Sequence, residues 1–212
     1  MIIRDNYQKF TDWVKSREWP EGQMYHIQWI LRKKDGKCQK DSCASKHWYV
    51  RNMEEFEKVK PSLYKYAGEE GGRITIGINR KSVTACNFAL ANLMMQESLK
   101  PHTYPIAVME YPGVVDTCGA VSGSFYMLDV DPMPEETPEA MKERVGRYCA
   151  IIESVYPHDV PRKVSLVLPS KSGWHIIFSR CHAAAVMEQI TEERGKYATF
   201  FKDCTTNLII GD

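Results

Sequence analysis

Apolar positions recur at helical spacing over 137–155, where Met141, Val145, Tyr148, Ile152 and Val155 line one face. Thr137, Pro138 and Glu139 supply a cap, a first-turn proline and an early acid, and the stripe runs out at Pro157. Short apolar runs on either side predict strands: "SFYMLDVD" (124–131), "KVSLVL" (163–168) and "WHIIF" (174–178), the last two forming a hairpin around "PSKSG". A helix over roughly 183–199 and a strand "TNLII" (206–210) complete the order β-α-β-β-α-β. That order predicts an α+β class with a split βαβ, ferredoxin-like arrangement.

The first hundred residues are less sharply patterned. A helix is expected near 5–18, a mixed segment near 23–50 and a short helical stretch over 52–66. "GGRITIGIN" (71–79) reads as a strand entered through a Gly-Gly turn. Ser82 can cap a helix over 83–99 whose apolar stripe includes Val83, Phe88, Leu90, Leu93 and Met94. The chain thus divides into a smaller N-terminal αβ module (1–103) and a second module (104–212), together one domain.

Topology gives the second module its chemistry. Right-handed crossovers put its first and third strands side by side, antiparallel, with the fourth on the first strand's other edge. The end of the first strand then faces the start of the third, so Asp129 and Asp131 meet His175, with Asp203 just before the fourth strand. Two residues apart on a strand, Asp129 and Asp131 point to one face while Val130 points to the helices. Two carboxylates so close call for a positive partner, and a hard cation with oxygen ligands, Mg²⁺ or Mn²⁺, suits them. Ser170, Lys171, Ser172 and Gly173 offer hydroxyls, an ammonium and a close backbone approach, a set suited to a polyphosphate. A bare structural turn would need only the glycine and a serine.

Composition changes this picture little. A formal charge of +1 argues against a protein held on nucleic acid by bulk charge alone, but "RKKDGKCQKDSCASKHWYVR" (32–51) is locally basic. Arg32, Lys33, Lys34, Lys37, Lys40, Lys46 and Arg51 there outnumber Asp35 and Asp41, with Trp48 and Tyr49 close by; a phosphate-backbone contact site and a solvated loop both fit. No run of about 18 apolar residues offers a membrane span. Seven cysteines without a disulfide-like framework favour reduced thiols and a cytoplasmic setting. Cys38, Cys43 and His47 resemble part of a zinc site but lack an evident fourth ligand, which leaves zinc open.

"LDVD" (128–131), "SKSGWH" (170–175) and the late acid of "KD" (202–203) together resemble the archaeo-eukaryotic primase superfamily, the primase-polymerases. The likeness covers roughly 104–212, and the short phage- and plasmid-type members are the nearest in kind. It implies an RRM-like catalytic core that joins nucleotides by two-metal phosphoryl transfer, a template-dependent nucleotidyltransferase. By that resemblance Asp129, Asp131 and Asp203 would bind Mg²⁺ or Mn²⁺, and Ser172 and His175 would hold the triphosphate; Ser170 and Lys171 join them as nucleotide-binding candidates from the turn's own chemistry. Arg73, Arg80 and Lys81, around an N-terminal strand, fit contacts to template or triphosphate and equally an ordinary surface role. The implied partners are a single-stranded DNA template, NTP or dNTP, and a helicase or accessory domain supplied separately, in a prokaryotic or phage-infected cell. The family's third acid usually follows an apolar residue, whereas Asp203 follows Lys202; Asp212 is a poorer substitute.

Two other classes compete. An inactive RRM-like nucleic-acid-binding module would stack bases on mid-strand aromatics, and Tyr126 is placed for that. A cyclase-like metal-dependent enzyme would use the same scaffold but leaves the Ser-Lys-Ser-Gly-x-His hairpin unexplained.

Overall fold

The structure, a computed structural model, describes residues 1–33, 36, 38–39, 42–97, 106–117, 125–155, 164–180, 183–190 and 196–212 (the backbone alone for 42–45, 97, 106–110 and 183). Its first half runs β1 (Ile2–Asp5), α1 (Tyr7–Lys15), β2 (Gln23–Arg32), β3 (Ser42–Val50), α2 (Met53–Glu69), β4 (Arg73–Gly77) and β5 (Lys81–Ser82). Then come α3 (Val83–Glu97), α4 (Ile106–Thr117), β6 (Phe125–Val130), α5 (Pro138–Val155), β7 (Val164–Pro169) and β8 (Trp174–Ser179). The last elements are α6 (Ala183–Gln189), β9 (Ala198–Phe201) and β10 (Thr205–Gly211). The mixed α+β class expected from the pattern is observed, and every strand pair among the described residues is antiparallel.

A six-stranded sheet is ordered β1-β10-β4-β2-β3, with β5 on β2; a four-stranded sheet is ordered β7-β8-β6-β9. The N-terminal helix expected over 5–18 is shorter, because the preceding residues pair with β10 as an edge strand. Tyr7, Phe10, Trp13 and Val14 still give α1 one buried stripe, and Asp5 Oδ1 accepts from the Tyr7 amide at 2.9 Å to start it. The mixed segment resolves into the β2–β3 hairpin. Residues 23–28 are buried on both faces, which erases the alternation that marks a half-exposed strand.

Two expectations for the C-terminal quarter are corrected. The helix predicted over 183–199 ends at Gln189, and Ala198–Phe201 form β9 instead; residues 191–195 lie outside the described part. The strand predicted over 206–210 exists as β10, but it joins the first sheet between β1 and β4. β9 takes the place beside β6 because Phe200 packs on Tyr126 and Phe178, with ring centroids 4.8 and 5.9 Å apart. A strand from the second sequence module is thereby built into the sheet of the first.

One face of the four-stranded sheet is covered by α5 and α6, where Val130, Leu128, Ile176 and Phe178 meet Met141, Val145, Ile152 and Val186. On the other face Phe125, Met127, Leu168 and Ile177 join a core that includes Phe10 and Trp13 of α1, Leu63 of α2, and Ile74, Ile76 and Leu208 of the first sheet. That shared core sets the two sheets against each other. Arg144, buried on α5, donates through Nε and Nη2 to the two oxygens of Glu136 at 2.7 and 2.8 Å, and through Nη2 to the Asp131 carbonyl at 2.6 Å. The charge-assisted fork ties the end of β6 to the helix after it.

The expected stripe of α3 is also corrected: Phe88 is 68% exposed and Met94 43%, while Cys86 packs on Met24 and Val115. A helix apolar on most sides does not declare in its sequence which side is covered. Lys34, Asp35, Lys37, Lys40, Asp41 and Cys181, and the predicted element ends at Ser124, Pro157 and Lys163, lie outside the described residues.

Candidate active site

A cleft of about 330 Å³ opens where the two sheets meet. The four-stranded sheet lends it Asp129, Asp131, Ser170, Lys171, Ser172 and His175, and the six-stranded sheet lends Arg32, Arg73, Thr75 and Asn207. Asp129 and His175 are direct cross-strand neighbours on β6 and β8, as the convergence argument requires. The sequence therefore placed seven residues that the fold brings into one cleft, Arg73 among them.

The hairpin turn before β8 is tight. The Ser170 amide donates to the Gly173 carbonyl at 2.8 Å, and the Gly173 amide donates to Ser170 Oγ at 2.9 Å. This leaves the Lys171 and Ser172 side chains exposed at the rim. Gly173 itself lies against the end of β6: a Cβ there would sit 2.0 Å from the Val130 carbonyl oxygen.

His175 is 6% exposed, and its Nδ1 is 2.7 Å from Thr206 Oγ1 on β10. Its Nε2 lies 3.4 Å from Asp129 Oδ1. Burial, then the charges of Arg32 and Arg73, push its pKa from 6.5 down to about 4. The ring is therefore neutral at pH 7, and its approach to Asp129 is that of an imidazole to a carboxylate, not an ion pair. An unfolded chain protonates this histidine below about pH 6.5 and the folded chain only near pH 4, so His175 contributes stability that is lost as pH falls through that window. The full effect is about 3 kcal/mol. Melting temperatures followed from pH 7 to pH 4 are expected to fall more steeply for the wild type than for His175→Gln. Equal slopes would mean that the folded ring takes up its proton in the ordinary range.

Thr75 Oγ1, in the same cleft, is buried without a hydrogen-bond partner among the described residues. Such a hydroxyl costs stability unless something else satisfies it. Arg73, Thr75 and Gly77 share one face of β4 by alternation, opposite Ile74 and Ile76, so the pattern could have singled out Thr75 beside Arg73. Arg32 was legible only as part of a basic run. Thr206 carried no signal, because nothing in "CTTNLII" says which threonine meets a histidine from another sheet.

Three expected site residues are placed elsewhere. Asp203 does not line this cleft. Its Oδ2 pairs with Lys81 Nζ, and its Oδ1 accepts from Asn79 Nδ2 at 3.2 Å. The physical reason is the strand swap: with β10 in the first sheet, the loop before it is drawn to the Lys81 side. Arg80 lines neither this cleft nor the next and donates to the Glu18 carbonyl. Tyr126 is 8% exposed and packs under α5 and α6, so it offers no face for a base. Of the basic run, Lys46 is exposed 5.4 Å above the Tyr66 ring, Trp48 packs on the main core and Tyr49 stacks on His26. Of the partial zinc set, Cys43 pairs with Leu31 and His47 with Gln28 along the β2–β3 hairpin, and the Cys43 side chain lies outside the described residues.

Asp203 belongs to a second cleft of about 290 Å³ with His26, Gln28, Asn79, Lys81 and Asp116, which shares Cys204 and Thr205 with the first. Asp116 accepts from His26 Nδ1 at 3.0 Å and from Gln28 Nε2 at 3.0 and 3.2 Å. His26 Nε2 is 2.9 Å from His47 Nδ1. Burial works to raise the pKa of Asp116, but the hydrogen bonds and charge of His26, with Gln28, outweigh it and hold the carboxyl below its usual range.

For a divalent cation the fit is partial. No three His, Cys, Asp or Glu among the described residues are grouped to hold a metal. Mg²⁺, however, typically takes one or two protein carboxylates and completes its shell with water and substrate phosphates. Asp129 and Asp131, beside a cationic and hydroxyl-bearing wall, match that mode. No helix among the described residues is long and apolar enough to cross a membrane. In comparison with known proteins, the chain matches no family model, no curated protein and no solved structure.

Proposed function

We propose that this chain is a template-dependent nucleotidyltransferase of the primase-polymerase kind, on an RRM-like core formed by β6, α5, β7, β8, α6 and β9. The observation that carries the reading is the cleft in which an acidic pair, Asp129 and Asp131, faces Arg32, Arg73 and Lys171. Phosphate chains carry negative charge that arginine and lysine hold, and the acids would hold a hard cation beside them. The order β7-β8-β6-β9 supports the RRM-like part.

In this reading Asp129 and Asp131 would hold Mg²⁺ or Mn²⁺ beside the triphosphate. The bound cation would lower the charge on the attacking and leaving oxygens of an in-line displacement. A 3′-hydroxyl oxygen, its proton passing to water, attacks the α-phosphorus, the bond to the β-phosphate bridge breaks, and pyrophosphate leaves. Arg32, Arg73 and Lys171 bind the phosphates. The neutral His175, held by Thr206, donates a hydrogen bond without adding charge. Ser172 at the rim and the Thr75 hydroxyl add donors. With Asp203 paired to Lys81, the acidic pair acts without a third carboxylate.

The test is incorporation of labelled NTPs and dNTPs on single-stranded and primed DNA templates with Mg²⁺ or Mn²⁺, wild type beside His175→Ala. Template-dependent product in the wild type, reduced by about 100-fold in the variant, is the expected result. Absence of product under every condition, with nucleic acid still bound, would favour an inactive binding module.

A further inference from the structure

We propose that Asp116 reads the sugar of the nucleotide whose phosphates occupy the first cleft, and that the chain therefore selects ribonucleotides. The inference rests on the nucleotidyl-transfer reading above and adds to it the class of substrate.

The two clefts differ in charge and touch along one wall. The first sets Arg32, Arg73 and Lys171 around Asp129 and Asp131. In the second, Lys81 and Asp203 neutralise each other and Asp116 adds one negative charge. Phosphates belong in the first, where three cations stand against two acids, rather than in the second. Cys204 and Thr205 line both, so the group next to the phosphates in a nucleotide, its sugar, extends across that wall.

What waits there is an acceptor aimed from behind. The Asp116 side chain is 54% exposed, yet its carboxylate is fixed by His26 Nδ1 and by Gln28 Nε2, which reaches both oxygens. His26 is 3% exposed, and His47 Nδ1 against its Nε2 sets the ring's orientation. His26 and Gln28 are thus positioning residues for one carboxylate. An ionised carboxylate only accepts hydrogen bonds and has about four lone-pair sites, of which the sheet side uses three. The remainder suits a neutral donor, and the hydroxyls of a ribose are such donors. Asn79 cannot substitute as the reader, because its amide is engaged by the Phe125 backbone at 3.0 and 2.6 Å. A deoxyribose removes the 2′ donor, and a carboxylate covered by the bound sugar but left without that donor discriminates by about 10- to 100-fold.

The experiment compares ATP with dATP, each with Mg²⁺, by equilibrium binding and by kcat/KM for incorporation, in wild type, Asp116→Asn and Gln28→Leu. The expected result is a wild-type preference for ATP of about 10- to 100-fold in both readouts. Asp116→Asn should bring the ratio to within about threefold of unity, the loss falling on ATP. Gln28→Leu, which removes the Gln28 bond from each Asp116 oxygen and leaves His26 on Oδ1, should move the ratio the same way by a smaller factor. Equal use of ATP and dATP by the wild type, or a ratio unchanged in Asp116→Asn, overturns the sugar-reading role and leaves nucleotidyl transfer standing. Failure of both nucleotides to bind and to be incorporated overturns both readings together.

Discussion

Asp129→Asn is expected to eliminate nucleotide incorporation while leaving the fold intact. The carboxylate lies on β6 directly across from His175 and shares its cleft with Asp131. An amide of the same shape keeps the packing but cannot bind a hard cation as a carboxylate does. Groups that merely orient metal ligands are worth about 10- to 100-fold, so removal of a direct ligand should exceed about 100-fold. The side chain is 28% exposed, and its replacement should change stability by no more than about 0.5 kcal/mol. A second readout separates metal binding from turnover. Mn²⁺ at 100 times its dissociation constant stabilises a protein that binds it when folded by about 2.7 kcal/mol. The wild type should melt at higher temperature with Mn²⁺ and nucleotide, and Asp129→Asn should not. A variant that keeps both activity and the Mn²⁺ shift would remove Asp129 from the site.

Gly173→Ala should be the most damaging single methyl near the cleft. The added Cβ would stand 2.0 Å from the Val130 carbonyl oxygen and 3.2 Å from Met141 Cε. The methionine can move, but the carbonyl belongs to the β6–β8 ladder, where Val130 pairs with Trp174. Relief must therefore come from lifting the hairpin turn off the end of β6. The expected cost is about 3 kcal/mol, the upper end for overpacking, or roughly 6–12 °C in melting temperature for a chain of this size. The lifted turn takes Lys171, Ser172 and His175 with it, and a displacement of about 1 Å at a reacting centre costs about 100-fold in rate. Thermal melts and kcat for the variant check both parts. Wild-type melting would mean that the turn and the strand end are not in contact.

The candidate site was legible in one respect and hidden in another. Strand alternation put Asp129 and Asp131 on one face, and the split βαβ order brought His175 and the serine-lysine turn to the same end. Both are local or topological regularities that residue types express directly. Asp203 was misplaced because its position depends on which sheet claims the strand after it, and "TNLII" is equally suited to either. Four residues, Ala198–Phe201, are too few to break a helical pattern, so β9 was read as helix. The Asp116–His26–His47 chain was invisible because it joins α4, β2 and β3, with 90 residues between Asp116 and His26.

The sequence by itself determined the α+β class, the helix over 138–155, the hairpin with its obligatory glycine, and the acidic pair with its histidine. Each follows from the period of the backbone or from a steric limit at one residue. Only the tertiary structure decided that β10 returns to the first sheet and that Arg32, Arg73 and Thr75 complete the wall opposite the acids. It alone separated the cleft around Asp129 and Asp131 from an adjoining one around Asp116. Those outcomes depend on how two sheets bury a shared core of Phe10, Ile76, Met127 and Ile177, and long-range apolar packing of that kind leaves no periodic trace along the chain.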